Sequence, residues 1–160
     1  MALRTIRTEG DRVLTKNARK VEKITEKEKE LIKDMFDTMH AAEGVGLAAP
    51  QVGILKQIVV IEVAEDEPIV LVNPVITEKE GSQTGSEGCL SVPGKVGTVT
   101  RPMNVVCEAF DENMEPVRIE GEGLLARCIC HEVDHLSGHL YTEIVEGPLQ
   151  DVEELEEEEE

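Results

Sequence analysis

Tryptophan is absent from this 160-residue chain, tyrosine occurs once and phenylalanine twice. The core must therefore be aliphatic, and aromatic platforms for stacking nucleic-acid bases are lacking. No apolar run approaches the roughly 20 residues of a membrane span. The first ten residues, MALRTIRTEG, interrupt their apolar positions with Arg and Glu, so they do not read as a signal peptide. Bases are scarce: 16 Lys and Arg stand against 34 Asp and Glu, a net charge of −18. The last ten residues, DVEELEEEEE, hold 8 acids and no base, and residues 1–150 carry 26 acids against 16 bases. Such a body repels phosphate backbones, which argues against DNA or RNA as the main partner. It equally argues against a basic helix lying on a membrane.

What is present suffices for one packed domain. Leu, Ile, Val and Phe supply 45 residues, well above the level of disordered chains. The four cysteines, Cys89, Cys107, Cys128 and Cys130, read as thiols or metal ligands in a reducing, cytoplasmic setting. A helix is expected over about 25–42. Thr25 and Glu28 have capping-box spacing, and Leu31, Ile32, Met35, Phe36 and Met39 recur on one face. Gly44 can end it. Residues 44–53, GVGLAAPQVG, predict an extended, partly irregular segment. The β-branched runs 57–63 and 69–72 predict strands. Residues 78–88, polar and glycine-rich, predict a surface loop. Residues 103–110 and 115–120 predict a hairpin. A second helix is expected from about Glu122 to Leu136, stopped at Gly138. The order implies an α+β domain, with mixed or antiparallel strands around a central helix. The boundary is placed at 146/147, followed by a solvated acidic tail in which like charges repel.

The second helix carries His131-Glu132-Val133-Asp134-His135, an H-E-x-x-H pattern. Four residues along a helix rise about 6 Å and turn about 400°, so the two histidines project from nearly one face. Their imidazoles can grip one metal ion. Glu132, rotated about 100° from His131, can reach a water on that ion and accept its proton during attack on a carbonyl. Two surface histidines flanking a solvated Glu would produce the same string by chance.

Two histidines need a further ligand. His139 is one more turn along, but three successive turns spread over about 12 Å, too far for a compact site. Cys89 is the better candidate, because a thiolate completes a Cys-His-His set suited to zinc or ferrous iron. A lone cysteine also commonly serves as a small buried apolar residue.

Three segments in order, GVGLAAPQ (44–51), EGCLSVP (87–93) and HEVDHLSG (131–138), resemble the three motifs of the peptide deformylases. The flanking GDRVLTKNARKV (10–21) and GLLARC (123–128) are similar too, and the resemblance spans about residues 3–145. It implies an enzyme that removes the formyl group from the N-terminal formyl-methionine of newly made bacterial proteins. It implies one divalent metal ion, Fe²⁺ in the cell, with Zn²⁺, Ni²⁺ or Co²⁺ able to take its place. Cys89, His131 and His135 match the metal ligands, and Glu132 the general base. Gln51 and the backbone N–H of Leu90 match the donors to the oxyanion.

Gln51 can donate its amide N–H without adding charge. Gly44, Val45 and Gly46 offer a backbone edge to which a peptide can add as a strand, and Glu87 and Gly88 are carried over as substrate-binding positions beside Cys89. Leu124 and Cys128, helped by Val45, are expected to line an apolar methionine slot. Arg127 is expected to pack its stem there with its head in water. Cys130 stands where many members have Gln, which suggests oxidation sensitivity. The acidic tail differs from the basic C-terminal helix of several bacterial members, which puts ribosome docking through the tail in doubt. Two other classes could use the same helix: a zinc endopeptidase, and a closed structural zinc site with a fourth protein ligand.

Overall fold

The computed structural model describes residues 2–64 and 66–152. The first helix, α1 (Glu26–Ala41), begins where its capping signal places it. The Glu28 carboxylate accepts from the Thr25 backbone N–H at 2.9 Å and from the Thr25 hydroxyl at 2.7 Å. Strands β1 (Gly46–Ala48), β2 (Ile58–Ile61) and β3 (Ile69–Glu80) follow, with a 3₁₀ turn at Ala49–Val52. Next come β4 (Gln83–Cys89), β5 (Val92–Arg101) and the hairpin of β6 (Asn104–Phe110) and β7 (Pro116–Glu122). The second helix, α2 (Leu124–Leu136), precedes a last strand, β8 (Glu146–Asp151).

All strand pairs are antiparallel, in two sheets ordered β1-β2-β3-β6-β7 and β4-β5-β8. The larger sheet is covered on both faces. Strand β2 makes the reason visible, since all four of its residues are buried. Its side chains alternate: Val59 and Ile61 pack with Leu71, Cys107 and Ile129 of α2. Ile58 and Val60 pack with Leu31, Ile32, Met35 and Met39 of α1. The result is an α+β fold with α2 held centrally between the two sheets. The aliphatic core expected from composition is what fills it.

Several expectations need correction. Residues 78–88 are not a loop, because they end β3 and form most of β4. Strand β5 went unpredicted. The buried position of β4 is itself charged (Glu87), and in β5 Pro93, Gly94 and Gly97 interrupt the buried Val92 and Val99, so no apolar alternation marks the strands. Helix α2 starts at Leu124, because Glu122 still belongs to β7. Strand β8 crosses the boundary expected at 146/147 and pairs with β5, so the start of the acidic segment is structured. Residues 153–160 lie outside the described residues.

Candidate metal centre

Helix α2 delivers two of the site's side chains, and the end of β4 delivers the third. One ligand atom each of Cys89, His131 and His135 lie within 4.8 Å of one another. Cys89 Sγ is 3.3 Å from His135 Nε2. The two imidazoles meet edge to face, with ring centroids 5.0 Å apart. Both histidines are buried. His139 is not part of the group. It is exposed and pairs with Glu143 at 3.1 Å.

His131 is fixed from behind. Its Nδ1–H donates to Glu87 Oε2 at 2.6 Å, which leaves Nε2 for a metal. Glu87 also accepts from Arg101 Nε at 3.1 Å, Arg101 Nη2 at 2.7 Å and Arg127 Nη1 at 2.9 Å. Burial alone would raise the Glu87 pKa. Hydrogen bonds from His131 and Arg101 outweigh it and bring it down to about 2. Arg101 in turn bonds Asp134 on α2 at 2.7 Å. The Arg127 head is therefore not in water, as its sequence position suggested. It is buried on Glu87 and on the carbonyl of Val99 at 3.1 Å. Sequence reasoning missed Arg101 altogether, because it ends a strand that went unpredicted.

Burial pushes Glu132 up to about 7 and lowers His135 to about 3, so His135 is a neutral imidazole. Glu132 Oε1 and His135 Nδ1 are buried and have no hydrogen-bond partner. Orphaned polar atoms in a core call for a ligand, ion or water. The thiol and one nitrogen of each imidazole, beside the orphaned Glu132 Oε1, are a donor set that fits a soft or borderline divalent ion. Gln51, 1 % exposed, aims its Nε2 at Cys89 Sγ (3.6 Å) and Ser91 Oγ (3.0 Å), while its Oε1 accepts from the Ala48 N–H at 2.9 Å. The remaining thiols are buried. Burial pushes Cys128 up to about 12 and Cys107 up to about 11, and it raises Cys130 as well. Cys130 is a buried core thiol.

A cavity of about 370 Å³ opens beside these groups. Cys89, His131, Glu132 and Gln51 line it, and His135 lies behind them. Gly44, Val45 and Gly46 form one wall, and Glu87, Gly88 and Leu90 another. Leu124, Arg127 and Cys128 reach it from α2. Gly46 is there for a steric reason, since a Cβ on it would fall 2.5 Å from Glu132 Oε2. Lys95, Val96 and Val152, which the sequence did not single out, complete the rim. A larger groove, about 920 Å³, runs along β3, β6 and β7. It is open and polar and holds none of the clustered Cys and His ligands.

Residues 3–150 match the sequence profile of the family described as polypeptide deformylase. The chain belongs to that family. A peptide deformylase of Agathobacter rectalis is 64 % identical over 152 residues, covering 95 % of this chain and 96 % of the relative. One from Lachnoclostridium phytofermentans is 56 % identical, covering 100 % and 99 %. The crystal structure of a peptide deformylase from Legionella pneumophila superimposes with a TM-score of 0.88 at 46 % identity, over 91 % of this chain and 87 % of that one. A Synechococcus elongatus peptide deformylase, solved in complex with actinonin, gives 0.86 at 46 % identity, over 95 % and 81 %. Peptide deformylases are metal-dependent enzymes that remove the N-formyl group from nascent peptides. No helix among the described residues is long and apolar enough to cross a membrane.

Proposed function

We propose that the chain hydrolyses the formyl amide of formyl-methionyl peptides at the centre formed by Cys89, His131, His135 and Glu132. The observation that carries this is the convergence of the three ligand atoms next to a buried carboxylate, on the wall of a peptide-sized cavity. Cys89 Sγ and a ring nitrogen from each histidine hold the ion. When bound, it supplies Lewis acidity that lowers the pKa of water and polarises a carbonyl. Fe²⁺ is the ion proposed for the cell, with Zn²⁺, Ni²⁺ and Co²⁺ as substitutes, because the thiolate–imidazole set accepts each.

Glu132 takes the proton of the attacking water on its carboxylate and passes it to the departing amine nitrogen. A pKa near 7 suits both halves of that exchange. Gln51 Nε2 and the Leu90 backbone N–H donate to the oxygen that gains charge. The backbone of residues 44–46 and 87–88 lines the cavity where the peptide lies, and Val45, Leu124 and Cys128 receive the methionine side chain. Arg127 acts by holding Glu87 at the cavity. The catalytic unit takes in β8 and Val152, beyond residue 146. Its setting is the bacterial cytoplasm, close to where peptides are made.

The test is formate release from a short formyl-Met peptide by protein purified without oxygen. Rapid release that fades in air supports the reaction and the ferrous ion. An absence of release from folded, metal-loaded protein overturns the assignment. Cleavage of internal peptide bonds instead would favour an endopeptidase.

A further inference from the structure

The chain's single tyrosine has no part in the chemistry above, yet it lies against the metal centre. The core is largely aliphatic, and both phenylalanines, Phe36 and Phe110, pack with the residues under α1. Tyr141 is instead 1 % exposed in a small cluster with Val92 and Val99, against which Cys89 and Leu140 pack. It opens a 3₁₀ turn, Tyr141–Glu143, which follows α2 and brings the ring back beside that helix. The turn is pinned at its start, where the Glu143 carboxylate accepts from the Leu140 N–H at 2.7 Å. The rings of Tyr141 and His131 lie 28° from parallel with centroids 6.1 Å apart, within the range of offset stacking. Among the described residues the Tyr141 hydroxyl, itself buried, has no hydrogen-bond partner. Packing holds this ring, and it is the ring that meets His131.

We propose that Tyr141 is a positioning residue for the metal: its ring backs one face of the His131 imidazole and keeps Nε2 aimed at the site shared with Cys89 and His135. The hydrogen bond to Glu87 fixes one atom of that imidazole, Nδ1. A ring held at one atom can still tilt, and tilting swings the in-plane lone pair of Nε2 off the ion. Tyr141 blocks the tilt from one side with a flat, rigid surface. Its cluster also packs on Cys89, so one side chain sits between the ligands that α2 and β4 supply. An aliphatic side chain of similar volume would fill the space without presenting a flat face.

The inference rests on the proposed metal centre, and its test reads metal binding apart from turnover. Metal-free protein, kept from oxygen, is titrated with Co²⁺ against a competing chelator, and the visible bands of the loaded site report its ligand geometry. Tyr141→Leu should bind Co²⁺ about 10–100-fold more weakly, the usual cost of losing an outer partner of a metal ligand, and its bands should shift. Tyr141→Phe keeps the ring and should match the parent in affinity and bands. Leu140→Ala trims the same cluster but leaves the ring. It should lower the melting temperature of the metal-free protein and leave both metal readouts at the parent's values. If Tyr141→Leu does not fold, Tyr141→Met carries the same expectation. Parent-like binding and bands in the Leu or Met variant overturn the proposal, and so does weakened binding in Tyr141→Phe. Equal weakening in Leu140→Ala overturns it too, because any loss of packing would then have the same effect. A parent that takes up no Co²⁺ faults the metal centre itself, and the inference falls with it. Failure of formate release with the expected metal binding would fault only the proposed activity.

Discussion

Glu132 and Gly46 are a pair in which one residue has function only because the other has no side chain. The Glu132 carboxylate sits against the Gly46 backbone, where a methyl group would come 2.5 Å from its Oε2. We expect Gly46→Ala to remain folded but to lose about a hundredfold in turnover, the usual cost of a misplacement near 1 Å. An unchanged kcat would show that the contact does not position the base. Glu132→Gln tests the base directly. All three ligands remain, so metal content by elemental analysis should hold while kcat falls about 10²–10⁴-fold. Loss of metal with loss of rate would mean instead that Glu132 serves the site's assembly.

At the scale of elements, α1 carries the clearest acid-sensitive contact. Glu28 is held at a pKa of about 2, against an ordinary 4.5, by hydrogen bonds from the Thr25 hydroxyl and N–H and from Lys56. A depressed carboxylate stabilises the fold above its unfolded pKa, and that stability is lost as pH falls through the folded value. The parent should therefore be more stable than Glu28→Gln at pH 7, and the two urea midpoints should converge between pH 4.5 and 2. A gap that persists at pH 2 would exclude the carboxylate as its source. Both helices were legible in the sequence, because apolar residues recur at 3.6-residue spacing over several turns. The H-E-x-x-H pair and Cys89 were legible as residue types with chemistry. Strands β4 and β5 were not, because Glu87 and Arg101 occupy buried positions and the buried Val92 and Val99 of β5 are interrupted by Pro93, Gly94 and Gly97. Periodicity of hydropathy cannot reveal a strand whose buried face mixes an ion network with glycine and a few valines. For the same reason the role of Arg101 behind His131 was hidden, and Arg127 was assigned to the wrong environment.

For the whole molecule, we propose that the working enzyme extends through the C-terminal strand. Strand β8 seals the edge of β5, and Val152 stands at the cavity rim. A chain stopped after Val145 should melt several degrees lower and show a raised KM for formyl-Met peptides. A chain stopped after Val152 should match the parent in both. Equal behaviour of the two truncations would make β8 dispensable.

The other end of the chain bears on the centre through its backbone. The Arg7 N–H donates to the Gln51 carbonyl at 2.6 Å, the Glu9 N–H to that of Ser91 at 2.8 Å, and the Ala18 N–H to that of Leu136 at 2.8 Å. Each acceptor is, or directly adjoins, a residue of the centre. The N-terminal segment is thus not a neutral handle. A purification tag, a fusion partner or a protease nick there is an intervention in the site, and rates measured on such preparations need an untagged control.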